Sequence, residues 1–334
     1  MISDTARFWS YLLVLIPSFV CSLFVLYHLL FNRVLRNALN NHIIILLLFI
    51  CLIAEVTLYP WMLYFHHNKS VWERSMKFCV VWGFLDWTLY VTHTMLFAWA
   101  TIERHILIFH DGWVSTKKRR FFIHYFPLIL LSLYLLFFYI VMYFFPNCEN
   151  YLRPSYLLCI YPCLYDIQII SMWDFVVDQV IPILTIIFFS SGLLVRVLRQ
   201  KVRMRRSIHW RKHRKMTIQL LSISFFYLII LLPYAVVYIV RLCGLTSSLI
   251  TDFRTYTAFL SYFIILLFPF VCAFSLPELR SKMKTIFRLR RQIRTDVSLR
   301  LPSRNPEPSG VPRSQANETL DVISDFQVLK IPET

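Results

Sequence analysis

Glycine is nearly absent from this chain, and charged residues are few. Only 5 of the 334 residues are Gly, and Asp, Glu, Lys and Arg together make up 16% of the sequence. Hydrophobic residues account for 58% and aromatic residues for 17%, whereas soluble globular domains contain about 25% charged and about 45–50% apolar residues. These shortages exclude a soluble globular protein and indicate a protein that lies mostly in lipid.

Seven apolar segments of 22 to 25 residues follow one another along the chain. As a helix rising ~1.5 Å per residue, each is long enough to cross the roughly 30 Å hydrocarbon core of a bilayer. Four contain no charged residue, and the second, third and fifth carry isolated acids. The segments are Phe8–Phe31, His42–Phe65, Phe78–Ile102, Phe121–Phe145, Trp173–Val195, Met216–Val240 and Thr255–Leu276. We therefore predict an all-α membrane protein that folds as a seven-transmembrane helix bundle.

Lys and Arg residues lie mostly on one side of the predicted membrane. The formal net charge of +17 is by itself also typical of nucleic-acid-binding proteins. When the loops are assigned to alternate sides, the side of the N-terminus holds 7 Lys and Arg residues and the other side holds 28. Since cytoplasmic loops carry the excess of Lys and Arg, this asymmetry predicts a plasma-membrane protein with an extracellular N-terminus and a cytoplasmic C-terminus, and no nucleic-acid partner.

The residues after the seventh segment differ from the rest of the chain. Within 277–294, apolar residues recur at helical spacing among basic ones: Leu279, Met283, Ile286 and Phe287. This pattern is typical of a helix that lies on anionic lipid. We predict a short amphipathic eighth helix, bound to the anionic inner leaflet, at the end of a first domain 1–287. The remaining 288–334 is basic and then polar, and we expect a disordered cytoplasmic tail.

Cysteine and proline positions add a more specific signature. Cys79 begins the third segment, and the tripeptide Glu103-Arg104-His105 ends it, with 25 residues from the thiol to the Arg. Prolines fall in the second, fifth, sixth and seventh segments: Pro60, Pro182, Pro233 and Pro269. With the seven spans and their orientation, these positions resemble those of the rhodopsin-like (class A) G-protein-coupled receptors over about residues 8–287. The resemblance implies a receptor that passes the signal of an extracellular ligand to a heterotrimeric G protein.

The chain departs from this family at three places in the middle of the membrane. Aligned on Pro233, the Trp of the family's sixth helix is Leu231. Aligned on Pro269, the Asn-Pro-x-x-Tyr motif reads Phe-Pro-Phe-Val-Cys from Phe268. The sodium-binding Asp of the second helix is Cys51. These differences indicate a divergent member with an altered switch.

Glu103, Arg104 and His105 match the family's Asp/Glu-Arg-Tyr motif, with His in the last place. The resemblance implies that Arg104 contacts the G protein when the sixth helix moves outward. The alternative is an Arg that extends from the membrane edge toward lipid headgroups, as Arg residues at span ends commonly do.

Asp86 is the main ligand-binding candidate. It follows Cys79 by seven residues, which places it roughly 10 Å into the membrane. In amine receptors of this family an Asp at this position pairs with an ammonium group, and the resemblance places Tyr262 beside it. An ionised carboxylate at such depth costs about 2.5–3.5 kcal/mol unless it is partnered. A cationic amine ligand and a protonated or water-bound Asp86 are therefore the two hypotheses.

Asp174 and Asp178 lie four residues apart and hence on one face of the fifth helix. If that face points into the bundle, the two carboxylates form a pocket mouth with Tyr234 and Tyr238 of the sixth segment, and the mouth suits a basic peptide or another polycation. The alternative is that Asp174 faces water at the level of the headgroups.

Glu55 and His93 are further polar residues within the spans. His93 occupies a position that helps to bind sodium in the family. We hypothesise a proton-sensitive contact between Glu55 and His93 that joins the second and third helices. The alternative is a buried polar pair without a switching role.

The resemblance also implies a disulfide from Cys79 to the loop that precedes the fifth segment. Three cysteines lie in this loop: Cys148, Cys159 and Cys163. Cys163 is nearest to the fifth segment and is the first candidate, with Cys159 as the alternative. The sequence alone does not fix the pairing.

The sequence also bears on functions other than that of a G-protein-coupled receptor. No Lys occurs between Lys215 and Lys282, which excludes the retinal Schiff base of an opsin. The membrane acids form no paired catalytic cluster, and Cys and His have no zinc-site spacing, so we expect neither an enzyme nor a metal or cofactor. A cation channel or secondary transporter stays as the alternative, because the acids and His93 would mark an ion path.

Serines in the predicted tail are candidate phosphorylation sites for an arrestin-type partner. They are Ser298, Ser303, Ser309, Ser314 and Ser324. Serines are also common in disordered tails of any function, so this partner is an expectation from the family alone.

Overall fold

The computed structural model describes residues 3–109, 116–153, 157–203, 208–242 and 248–275. The chain divides into two units, Met1–Thr285 and Ile286–Thr334, and all the described residues belong to the first. The predicted eighth helix and tail lie outside the described residues. The long helices are α1 (Asp4–Phe31), α2 (Leu39–Asn68), α3 (Met76–Phe109), α4 (Phe126–Phe144), α5 (Ile181–Arg203), α6 (Ile208–Leu242), α7 (Ser248–Ser261) and α8 (Phe263–Ser275).

Short elements connect the long helices. A one-turn helix, Arg33–Arg36, joins α1 to α2. The turn Lys117–Arg120 and the π-helical turn Phe121–Tyr125 lead into α4. Helix Gln168–Trp173 and the π-helical turn Asp174–Val180 lead into α5. Because these pieces continue directly into their helices, the fourth and fifth spans begin earlier than α4 and α5 themselves.

Local sequence signals explain where several helices begin and end. The Ser3 hydroxyl accepts a hydrogen bond of 3.2 Å from the backbone N–H of Ala6 and caps α1, as Ser commonly does at a helix N-terminus. Helix α2 ends at Asn68, and its C-cap Lys69 has a φ of 53° in the left-handed region. The Lys69 N–H donates to the carbonyl of Phe65 at 2.8 Å and closes the last turn.

The helices form one closed bundle with α3 near its centre. Helix α3 contacts α2, α4 and α5, and α1 packs against α2 and α8. Helix α6 contacts α5, α7 and α8. With α7 and α8 counted as one bent span, the described residues form the seven-helix bundle that the sequence predicted.

The composition of these helices suits a membrane. Four helical stretches are long and apolar enough to cross it, and the bent pair of α7 and α8, which meet at 41°, makes a fifth. The stretches are Asp4–Phe31, Asn41–Asn68, Lys117–Phe144 and Gln168–Arg196. Helix α3 has 34 residues, but its Asp, His, Thr and Trp residues lower its hydropathy. The chain is a multi-pass membrane protein.

A small hairpin packs against one end of the bundle. Strands β1 (Tyr151–Leu152) and β2 (Ile160–Tyr161) pair antiparallel, and β2 contacts α3. A Cβ atom on Gly83 of α3 would lie 2.6 Å from Tyr143 Cε1 and 2.7 Å from Ile160 Cγ2. The missing side chain therefore allows α3, α4 and β2 to approach this closely. Below, the end of the bundle that carries Cys79 is called the disulfide end, and the end that carries Arg104 is called the arginine end.

Candidate functional site

The cysteine pairing at the disulfide end differs from the first prediction. Cys79 pairs with Cys159, and Cys148 pairs with Cys163. The choice of Cys163 for Cys79 was wrong, and the alternative, Cys159, is the partner. Cys159 directly precedes β2, which contacts α3, whereas the Cys163 backbone N–H donates to Asn150 Oδ1 at 3.0 Å. The fold of the hairpin, rather than distance along the chain from the fifth helix, decides the pairing.

Asp86 is buried inside the bundle, with 5% of its surface exposed. The Tyr262 hydroxyl donates a hydrogen bond of 3.0 Å to Asp86 Oδ2. Tyr262 lies at the break between α7 and α8, and its own carbonyl accepts a bond of 2.6 Å from the Tyr59 hydroxyl. Hydrogen bonds thus connect both α2 and α3 to the break in the seventh span. The structure brings Asp86 and Tyr262 together, as the resemblance implied.

Asp86 has a hydroxyl partner and no cationic one in the described part of the chain. The ion pairs there include those of Asp4 with Arg7 and His66 and of Glu103 with His124, and Asp86 takes part in none of these. A buried carboxylate that lacks a cation favours either a bound proton or a cationic ligand. The carboxyl group of Asp86 is therefore available to bind a proton or a cation.

Asp174 and Asp178 are buried against the fourth span. The Tyr139 hydroxyl donates to Asp174 Oδ1 at 2.6 Å, and the Tyr134 hydroxyl donates to Asp178 Oδ1 at 3.1 Å. Asp174 is 4% exposed and Asp178 is 0% exposed, so the alternative of Asp174 in headgroup water is wrong. The acids lie in the π-helical turn Asp174–Val180.

Tyr134 and Tyr139 were not recognised from the sequence as partners of the two acids. The fourth segment contains no Asp, Glu, Lys or Arg, and these two of its four tyrosines resemble the many aromatic residues of this chain. The rotation of the fourth span in the bundle, which a single sequence does not reveal, turns them toward Asp174 and Asp178.

A small cavity, with room for about one water molecule, lies between α3, α5 and α6. Its wall is formed by Tyr90, Val91, Thr94, Asp178, Gln179, Ile183, Leu231 and Tyr234. The Gln179 Oε1 atom is buried and has no hydrogen-bond partner among the described residues. Asp86 lies one helical turn from Tyr90 on α3. Of the predicted residues, Asp178 and Tyr234 line the cavity, while the side chain of Tyr238 lies outside the described part of the chain.

At the centre of the bundle, His93 of α3 contacts side chains of α2 and α6. The Tyr227 hydroxyl of α6 lies 2.8 Å from His93 Nδ1, and Cys51 Sγ of α2 lies 3.4 Å from His93 Nε2. The Phe97 and Tyr227 rings stack with their centroids 4.0 Å apart. Tyr227 was not singled out from the sequence, because the family motif directs attention to Leu231, one turn away.

The predicted contact between Glu55 and His93 is not formed. Glu55 instead accepts hydrogen bonds from the Ser18 and Ser22 hydroxyls of α1. Ser18 also lies 2.6 Å from the carbonyl oxygen of Leu266 in α8. Glu55 is one turn beyond Cys51, and that turn rotates its side chain away from α3 and toward α1. The proton-sensitive contact proposed for this pair is therefore wrong.

At the arginine end, Glu103 and Arg104 are both buried, with 1% and 4% of their surfaces exposed. An Arg that extends into lipid headgroups is not buried in this way, so that alternative does not fit Arg104. His105 meets the edge of Phe189 in α5, with ring centroids 5.7 Å apart. The motif is thus packed into the bundle.

Two histidines that were not recognised from the sequence extend from Glu103: His124 contacts Glu103, and His42 contacts His124. His124 Nδ1 lies 2.7 Å from Glu103 Oε1. His124 Nε2 lies 3.1 Å from His42 Nδ1, and His42 Nε2 lies 2.9 Å from the carbonyl oxygen of Arg36. A sequence signal did exist, because His124 stands in the otherwise uncharged fourth segment, but nothing in the spacing linked it to Glu103.

Comparison with solved structures agrees with this architecture. The crystal structure of squid rhodopsin superimposes with a TM-score of 0.65, covering 86% of this chain and 87% of that one at 18% identity. No protein-family model matches the sequence, and no curated protein matches it. The chain therefore has the rhodopsin-like seven-helix fold, at a level of identity that shows the fold alone.

Proposed function

We propose that this protein is a G-protein-coupled receptor that passes the signal of an extracellular ligand to a heterotrimeric G protein. The observation that supports this proposal is that one helix, α3, contributes to both the candidate ligand site and the candidate coupling site. Its disulfide end carries buried Asp86 beside the cavity, and its arginine end carries buried Glu103 and Arg104. At ~1.5 Å per residue the 18 residues from Asp86 to Arg104 extend roughly 27 Å, so a single rigid element links the two ends of the bundle.

The ligand that suits this site is an organic cation, either an amine or the basic side chain of a peptide. Asp86 supplies a carboxylate with no described cation beside it, and Tyr262 orients it. Asp178 and the unpartnered Gln179 Oε1 add acceptors at the cavity. Because carboxylate and amide oxygens accept hydrogen bonds, this set favours a ligand rich in N–H donors. Asp174, Tyr234 and Tyr238 would line the entrance for a larger ligand.

Coupling takes place at the arginine end through Glu103, Arg104 and His105. A ligand that binds one of two bundle conformations more tightly shifts the protein toward it. Outward movement of α6 would then expose Arg104, whose planar guanidinium can exchange partners at a wet cleft. The imbalance of Lys and Arg supports placing this end in the cytoplasm, where the amphipathic helix would bind anionic lipid and the tail an arrestin.

The substitution Arg104→Ala tests the proposal. In cells that express the chain with a panel of G proteins, we expect biogenic amines or basic peptides to increase nucleotide exchange, and Arg104→Ala to abolish the increase with surface expression unchanged. Arg153→Ala is the matched control, because Arg153 is exposed at the opposite end. Equal exchange by wild type and Arg104→Ala would contradict the assigned role of Arg104.

The alternative, a cation channel or secondary transporter, has no specific structural observation in its favour. Glu55, Asp86 and Asp178 each bond to hydroxyl groups at a different helix interface. An ion path requires such groups to share one continuous cavity, and the cavity described here reaches only Asp178. Ion-dependent current or uptake in expressing cells would favour this alternative.

A further inference from the structure

Three helices meet at Glu55, near the middle of the second span. Glu55 lies ten residues before the end of that span at Phe65, about 15 Å into the membrane, and 3% of its surface is exposed. Its Oε1 atom lies 2.5 Å from Ser18 Oγ and 3.2 Å from Ser22 Oγ of α1. Ser18 Oγ also lies 2.6 Å from the carbonyl oxygen of Leu266 in α8. We name the side chains of Glu55, Ser18 and Ser22 and the Leu266 carbonyl the Glu55 cluster.

Ser18 has two hydrogen-bond acceptors but only one hydrogen to donate. A hydroxyl group carries a single O–H donor, and the Leu266 carbonyl oxygen only accepts. If Glu55 is ionised, it also only accepts, so one of the two Ser18 contacts contains no hydrogen. Two oxygen atoms repel each other at 2.5–2.6 Å unless a hydrogen lies between them. The hydrogen of Ser22 is directed at Glu55, and the cluster therefore requires one hydrogen more than its two serines supply.

The second carboxyl oxygen of Glu55 leads to the same conclusion independently. Glu55 Oε2 is buried and has no hydrogen-bond partner among the described residues. An ionised carboxylate accepts hydrogen bonds at both of its oxygens, so an unpaired Oε2 is costly inside a membrane. In a neutral carboxylic acid, Oε2 is an uncharged carbonyl oxygen, and leaving it unpaired costs less.

The described residues around Glu55 include no cation that would neutralise it. The first, second and seventh apolar segments contain no Lys or Arg. The titratable side chains near the cluster are thiols, a phenol and an imidazole, namely Cys21, Cys51, Cys272, Tyr59 and His93. Thiols and phenols are mostly uncharged near pH 7. The imidazole of His93 contacts Cys51 and Tyr227 rather than Glu55.

We propose that Glu55 is a proton-binding site that joins the first, second and seventh spans. The bound proton reverses one hydrogen bond, so that Glu55 donates to Ser18 and Ser18 donates to the Leu266 carbonyl, while Ser22 still donates to Glu55. Each contact of the cluster then contains one hydrogen, and no charge is buried. Because its groups belong to α1, α2 and α8, a single proton holds three helices together. This site is independent of the proposed function.

Infrared spectroscopy of the purified, full-length protein in lipid nanodiscs at pH 7 tests the proposal directly. An exposed Glu is ionised at this pH, so the carbonyl stretching band of an un-ionised carboxylic acid reports buried protonated acids. We expect the wild type to show such a band that Glu55→Gln lacks. The other buried acids contribute to both spectra and cancel in the difference. Glu73→Gln, which removes an exposed acid, is the matched control and should leave the band unchanged.

Equal spectra of wild type and Glu55→Gln in this region would overturn the proposal. That result would mean that Glu55 is ionised and that a bound cation or water neutralises or solvates it. Nucleotide exchange on a G protein is not part of this measurement. A protein that activates no G protein but shows the Glu55 band would therefore reject the receptor and keep the proton site.

Two serine substitutions test the direction of the hydrogen bonds, and they apply even if Glu55→Gln does not fold. With the proton bound, Ser18→Ala removes two hydrogen bonds of the cluster and Ser22→Ala removes one. With Glu55 ionised, each substitution removes one. We expect Ser18→Ala to lower the Tm about twice as much as Ser22→Ala, and to shift the acid band because Glu55 loses its acceptor. Equal decreases in Tm with an unshifted band would overturn the proposal.

Discussion

Hydroxyl groups, rather than cations, form hydrogen bonds with four of the buried acids of the described bundle, Glu55, Asp86, Asp174 and Asp178. Serines of α1 donate to Glu55, Tyr262 donates to Asp86, and tyrosines of the fourth span donate to Asp174 and Asp178. A hydroxyl stabilises a carboxylate by hydrogen bonding but does not neutralise it. Each acid therefore keeps an affinity for a proton or a cation, and this property supports the proposal of a cationic ligand.

At the residue scale we predict that Asp86→Asn weakens the response to an amine agonist. Loss of a charge-assisted hydrogen bond of about 1.5–3 kcal/mol raises the half-maximal concentration by about 10- to 150-fold. Tyr262→Phe should weaken it by about fivefold, because it only removes the orienting hydroxyl. The measurement is a dose–response curve of nucleotide exchange, with Asp166→Asn, at an exposed acid of the same end, as the control. Unchanged curves for Asp86→Asn would reject the amine ligand.

At the scale of elements, the backbone departs from a regular α-helix where the candidate functional residues lie. The π-helical turn Asp174–Val180 carries both acids of the fifth span, and the π-helical turn Phe121–Tyr125 carries His124. The bend between α7 and α8 carries Tyr262. Such irregular turns rotate the side chains that follow them, and they commonly mark functional sites.

Gly83→Ala should destabilise the packing of α3 against α4 and β2. The new methyl group would lie 2.6 Å from Tyr143 and 2.7 Å from Ile160, both of which are buried. Overpacking of this kind costs about 1–3 kcal/mol, seen as a lower Tm in detergent. In the matched control, Gly192→Ala, the nearest atom is 3.9 Å away. A Tm for Gly83→Ala equal to that of Gly192→Ala would contradict the close packing.

The disulfide pairing predicts which cysteine substitutions act together. Cys79→Ser and Cys159→Ser should lower stability equally, and the double variant should be no worse than either, because one bond is lost in each case. The Cys148–Cys163 bond closes a segment of 15 residues, against 80 for Cys79–Cys159. Since a longer closed loop restricts the unfolded chain more, Cys163→Ser should be the milder change. Peptide mapping without reduction that links Cys79 to Cys163 would contradict this pairing.

At the scale of the whole molecule, the bundle places the buried Asp86 and the buried Arg104 toward different ends of one helix. The charge asymmetry of the loops matches this polarity, since most Lys and Arg residues belong to the side of Arg104. A signalling role across a membrane requires such a division between an input end and an output end.

The proposed orientation predicts the accessibility of the two chain ends. An epitope tag at the N-terminus should be stained on intact cells, and a tag at the C-terminus only after permeabilisation, because seven crossings put the ends on opposite sides. Staining of both tags on intact cells would mean an even number of crossings and would reject the seven-span topology.

The sequence by itself determined the spans, their number and the positions of Asp86, Glu103 and Arg104 along them. These properties depend on local quantities, namely segment length, hydropathy and the constant rise of a helix. The association of Tyr262 with Asp86 was also predicted, since the resemblance fixed the relative depth of both residues.

Only the tertiary structure decided which side chains meet across helices. It paired Cys79 with Cys159, turned Glu55 toward α1 rather than His93, and brought His42, His124 and Glu103 into contact. These contacts depend on the rotation of each helix about its axis and on the path of the loops. A rotation of about 100° per residue leaves the depth of a residue almost unchanged but selects a different neighbour, so one sequence predicts depth far better than partners.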